Sequence, residues 1–203
     1  MKLRNSSWFR NDDDESSDSD DDSEDVFTIG SSVYFYCEVS GSTITKLISI
    51  LKKLEINLRK KTIELEGYKP KIKLYIRSPG GDVYAGFSGM DHIYASKIPI
   101  ITIADGICAS AATFLLLAGS KRYITPSSHI LIHQISTGGF WGKYEELKDD
   151  LKHAEGLMTQ LKALYTTQCE IPEKKLNKLM KRDIFLTAEE CLEFKVIHKI
   201  SCP

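Results

Sequence analysis

The chain has 203 residues, 42% of them hydrophobic, 27% charged and 9% aromatic, which is enough for one domain with a sizeable core. Its formal charge of −1 hides a division: residues 1–25 carry a net −7, and the remaining 178 a net +6. No apolar run approaches the roughly 18 residues that span a bilayer, so no membrane partner is expected. The N-terminus lacks an apolar secretory core and is too acidic for a transit peptide. The five cysteines (Cys37, Cys108, Cys169, Cys191, Cys202) are scattered, odd in number and never in C-x-x-C spacing. That argues against a disulfide framework or a zinc site and points to a reducing, cytoplasmic setting. A phosphate-binding G-x-x-x-x-G-K-[ST] stretch is missing, and nothing in the pattern calls for a cofactor.

Residues 11–25 are almost wholly Asp, Glu and Ser. Such a run repels itself and has nothing to bury, so residues 1–25 are expected to be a disordered acidic tail. The folded domain is expected over residues 26–203. Val33 to Cys37 is β-branched and aromatic and reads as a strand. Thr43 to Leu58 places Ile44, Leu47, Ile48, Leu51 and Leu54 at helical spacing, with Ser42 or Thr43 as the cap. Ile72 to Ile76 is the second strand, stopped by Ser78-Pro79-Gly80-Gly81. Val83 to Ala95 reads as a helix and Ile98 to Ala104 as a third strand.

The apolar run from Cys108 through Ala118 halts at Gly119, which predicts a buried helix with a glycine at its end. Short strands follow around Tyr123-Ile124 and from His129 to His133. From Tyr144 the apolar positions step by three and four through 147, 151, 154, 158 and 161 to Tyr165, which predicts about six helical turns with one apolar seam. Thr187-Ala188-Glu189-Glu190 has capping-box form and opens a short helix before a final strand, Val196 to Ile200. Strands alternating with helices argue an α/β domain with a largely parallel sheet.

Three residues could carry chemistry. Ser110 lies between a strand and an all-apolar helix, where backbone N–H groups favour developing negative charge. Taken alone, it reads first as a helix cap. His133 ends a strand, where ligand sites gather in open α/β sheets, although a strand-end histidine can be purely structural. Asp183, in Lys181-Arg182-Asp183-Ile184-Phe185-Leu186, could serve a histidine or merely pair with its basic neighbours.

In combination these residues resemble the proteolytic subunit of the Clp protease. The resemblance rests on Tyr75-Ile76-Arg77-Ser78-Pro79-Gly80-Gly81, Ala109-Ser110 before the apolar helix, Ile132-His133-Gln134, the pair Gly138-Gly139 and the run from Arg182 to Ala188. The steps of 29 residues from Gly81 to Ser110, 23 to His133 and 50 to Asp183 match the family's order. It implies a fold shared with crotonases, with mostly parallel sheets, flanking helices and a protruding handle helix formed by the long seam.

The resemblance also implies a serine endopeptidase in which Ser110 is the nucleophile, His133 the general base and Asp183 its orienting partner. The backbone N–H groups of Gly81 and Ala111 would form the oxyanion hole. Gly80, Gly138 and Gly139 would help receive an extended polypeptide substrate by β-addition. Stacked homo-oligomeric rings and an AAA+ unfoldase partner are further implications. Against the family pattern, the residue after the nucleophile is Ala111 where methionine is usual, and an acidic tail replaces the apolar N-terminal segment. Rival readings are a capsid-associated viral or phage protease on this fold, a crotonase-like acyl-CoA enzyme, and a non-enzymatic ring subunit. The basic residues are dispersed without aromatic interleaving, so no nucleic-acid partner is expected. His92, His129, His153 and His198 are read as structural.

Overall fold

The computed structural model describes residues 25–136, 139 and 141–201. The acidic tail therefore lies, Asp25 apart, outside the described residues. The described chain opens with an antiparallel pair, β1 (Val26–Ile29) and β2 (Ser32–Phe35), turning at Gly30 with φ +63°. β1 was not legible as a strand, being four residues long with no clear alternation. Helix α1 (Gly41–Glu64) follows. Its cap is Ser40 rather than Ser42 or Thr43: Thr43 N–H donates to Ser40 Oγ and Ser40 N–H donates to Thr43 Oγ1, satisfying two orphan donors reciprocally. The helix also outruns Leu58 by six residues, through straight-chain formers such as Arg59, Lys60 and Lys61.

Next come β3 (Ile72–Ser78), α2 (Val83–Tyr94), β4 (Ile100–Ala109) and α3 (Ala112–Leu117). They are followed by β5 (Lys121–Ile124), β6 (His129–Leu131), α4 (Tyr144–Gln168) and α5 (Glu173–Met180). The described chain closes with β7 (Phe185–Leu186), α6 (Ala188–Glu193) and β8 (Lys199–Ile200). The main sheet runs β1-β2-β3-β4-β5-β8, while β6 pairs with β4 and β7 pairs with β6. All pairings are parallel except β1 with β2 and β6 with β7. This is the mostly parallel α/β arrangement expected.

The helical run expected from Cys108 begins only at Ala112, because Cys108 and Ala109 belong to β4. There Cys108 pairs with Ser78 on one side and Ile130 on the other, and Ala109 pairs with Leu131. Sheet partners on both edges override the helical pattern of an alanine-rich run. Gly119 is no left-handed cap either. A β-carbon there would collide with the Thr102 side chain, so this glycine permits close approach of α3's exit to β4.

α1, α2 and α3 pack on one face of the sheet around Leu47, Phe114, Leu115, Leu74 and Ile76, all fully buried or nearly so. The other face carries Tyr34 stacked between Phe27 and Tyr75 at 4.8 Å from each. Helix α4 is two structures in one. Its last turns bury Leu161 and Tyr165, whereas its first four turns bury nothing, leaving Tyr144 and Leu151 exposed. The seam is there, but only its base is covered, as a protruding handle requires. Thr187 caps α6 as the capping box predicted.

Candidate active site

Sheet register brings the three candidate residues to one end of the molecule. β4 and β6 run parallel, and their register ends with Ala109 beside Leu131, one residue before Ser110 and two before His133. Ser110 N–H donates to Leu131 O at 2.9 Å, extending that ladder by one bond. β6 and β7 run antiparallel with Leu131 opposite Phe185, so the same register sets His133 opposite Asp183. β3 lies along β4's other edge with Ser78 beside Cys108, which carries Gly80 to Ser110. Residues 80, 110 and 133 thus all sit just past the carboxyl ends of parallel strands, where open α/β sheets place ligands.

Ser110 is not the cap of a helix. It occupies the turn between β4 and α3 with φ +53°, a left-handed conformation costing a non-glycine residue about 1–3 kcal/mol. Such strain persists only where the surroundings over-determine it. Here Ala109, Ala111, Ala112 and Thr113 are all 0% exposed. The turn lifts the Ser110 side chain out of a buried run while its backbone stays anchored.

His133 Nδ1 lies 3.2 Å from Asp183 Oδ1. An ionised carboxylate only accepts, so the proton of that bond resides on Nδ1, and Nε2 is left as the basic nitrogen. Gln134 N–H donates to Met180 O, fixing the segment beyond His133 to the end of α5. The pairing of Asp183 with Lys181 or Arg182, its plain alternative, does not occur among the described ion pairs. The histidine side chain is 23% exposed and the aspartate 63%.

The glycine pair serves the same corner. A β-carbon on Gly80 would sit 2.6 Å from Ser110 Cβ and 3.1 Å from Ala111 N, and φ there is +99°. Only glycine lets this loop lie against the serine turn. Gly81, with φ +139°, is pressed to Val39 O, and Val39 N–H donates to Gly80 O while Asp82 N–H donates to Val39 O. Neither Gly81 N–H nor Ala111 N–H is a donor in the hydrogen bonds that close these loops. Gly80 packs directly against Ser110. Gly139 is exposed, with φ +122°, and Gly138 lies outside the described residues.

The nearby thiols offer no rival nucleophile. Burial pushes Cys108 far above the usual thiol range, Cys191 up to about 12 and Cys169 up to about 11. Among the described residues no cluster of three His, Cys, Asp or Glu side chains could hold a metal ion. Of the remaining histidines, His198 Nδ1 accepts Arg122 N–H at 3.0 Å, and His153 hydrogen-bonds Tyr84 Oη, joining α4 to α2. Sequence reasoning passed over Thr113 and Tyr165. Thr113 is the one hydroxyl in α3, a helix otherwise made of Ala, Phe and Leu, and that lone polar residue was the available signal.

The family described as Clp protease matches residues 31–202. The chain is 41% identical over 139 residues to the ATP-dependent Clp protease proteolytic subunit 2 of Treponema denticola, covering 68% of each protein. It is 34% identical over 140 residues to the ATP-dependent Clp protease proteolytic subunit of Deinococcus radiodurans, again covering 68% of each.

Proposed function

The chain belongs to the Clp protease family, a family of peptidases, and from that premise we propose that it is a serine endopeptidase whose nucleophile, base and orienting acid are Ser110, His133 and Asp183. The observation that carries this reading is the Nδ1–Asp183 hydrogen bond, which leaves His133 Nε2 as the basic nitrogen two residues past β6, the strand paired with the one that ends at Ser110. Ser110 Oγ attacks the scissile carbonyl as Nε2 takes its proton. The imidazolium, held by Asp183, then returns that proton to the leaving amine, and water repeats the cycle on the acyl-enzyme. Gly81 and Ala111 N–H groups meet the oxyanion. Each such donor is worth on the order of 3–4 kcal/mol of barrier.

Residues 26–203 form the peptidase domain, and polypeptide chains are its substrates. Two copies of the exposed half of α4, with Tyr144 and Leu151, provide the contact by which stacked rings assemble. An ATP-driven unfoldase delivers folded substrates, in keeping with the names of the two relatives. An active-site fluorophosphonate tests the chemistry. It labels Ser110 in the assembled particle and spares Ser110→Ala; labelling elsewhere, or none at neutral pH, removes the assignment. Native mass tests the assembly, and a monomer at micromolar concentration contradicts it.

A further inference from the structure

Thr113 Oγ1 lies 2.6 Å from Ser110 O and 2.6 Å from Tyr165 Oη. Thr113 and Tyr165 are both 0% exposed. The donor directions are forced. A carbonyl only accepts, so the single Thr113 hydroxyl proton goes to Ser110 O, and Tyr165 O–H must donate to Thr113 Oγ1. Thr113 N–H also donates to Ser110 O, at 2.9 Å. The carbonyl of Ser110 is thus gripped twice by Thr113, and Thr113 is held in turn by the buried base of α4.

That carbonyl shares a planar, trans peptide unit with Ala111 N–H, which points the opposite way. Fixing Ser110 O inward therefore aims Ala111 N–H outward. The incoming donors also polarise the peptide, which makes its N–H the stronger donor. We infer that Thr113 and Tyr165 are positioning residues that orient the Ser110–Ala111 peptide so that Ala111 N–H is set for the oxyanion. The inference rests on the peptidase reading above. A donor that matters only to the tetrahedral species changes kcat rather than KM.

The test compares Thr113→Val, Thr113→Ser, Tyr165→Phe and the double variant Thr113→Val/Tyr165→Phe in the full-length assembled protein. Peptide hydrolysis, Ser110 labelling by the fluorophosphonate and thermal melting are measured for each. Thr113→Val lowers kcat about tenfold with KM within twofold, and slows labelling by the same factor. Thr113→Ser keeps the hydroxyl and restores most of the rate. The double variant removes both buried partners together, so its melting temperature returns toward wild type while kcat stays low. Recovery of kcat together with stability would show a merely structural pair and overturn the inference. So would a change confined to KM, or equal losses in Thr113→Ser and Thr113→Val. Wild-type protein that leaves Ser110 unlabelled fails the peptidase reading itself, whereas failure of the relay alone leaves that labelling intact.

Discussion

The proposed nucleophile and the proposed proton relay that serves it are held in opposite ways. Ser110 is flanked by four fully buried residues, roofed by Gly80 and tethered through its own N–H to Leu131. His133 and Asp183 stand just outside a three-residue and a two-residue strand, and the aspartate side chain is mostly exposed. One arm is welded into the core and the other leans against it. Substitutions on the first should therefore cost folding and catalysis together, and substitutions on the second catalysis alone.

The largest effect tests the exposed arm. Asp183→Asn replaces an acceptor-only carboxylate by an amide that can also donate to Nδ1, so the tautomer is no longer fixed, and kcat should fall by about 10³–10⁴-fold. Stability should barely move, because a single hydrogen bond to a mostly exposed carboxylate contributes only about 0–1 kcal/mol. A melting temperature several degrees lower would break the comparison. On the buried arm, Gly80→Ala forces a β-carbon against Ser110 and Ala111 N at positive φ. Activity should drop about 100-fold and stability by about 2–4 kcal/mol, read from peptide hydrolysis and denaturant unfolding. Unchanged stability would show that the serine turn yields more easily than its packing implies.

The smallest effect is a pH dependence of the buried layer. Burial raises Cys169 to about 11 and Cys191 to about 12, above the ordinary thiol value near 9. In that window the folded chain keeps protons that the unfolded chain gives up. This contribution to stability is complete below pH 9 and is lost as pH rises toward 11–12. Thermal melts from pH 8 to 11 should show a fall that is shallower in a Cys169→Ala/Cys191→Ala variant. An identical slope in both proteins would assign the fall to other groups.

How much of this was legible before folding depended on what kind of information each feature needs. The candidates Gly80-Gly81, Ser110, His133 and Asp183 were each weak signals alone and were singled out together only through the family resemblance. The pairing of His133 with Asp183 was expected only through the family resemblance, since β7 is two residues long and invisible to any periodicity. The end of β4 was misplaced because Gly106-Ile107-Cys108-Ala109 has no strand signature of its own; β3 and β6 supply it. The seam of α4 was correct as a pattern. Periodicity says which residues share a face, but whether Leu151 or Leu161 is covered depends on what the rest of the chain brings alongside.

β4 changes partners partway along. Residues 101–104 are bonded to β5 and residues 107–109 to β6, with Gly106 at φ +89° in the changeover. A single rod thus serves two sets of partners, and a cut in it would orphan both at once. The turn from Leu65 to Lys71, by contrast, joins α1 to β3 in the open, and Gly67 there has nothing within reach of a β-carbon. New termini for a permuted or split version of the molecule belong at that turn, never between Asp105 and Ser110.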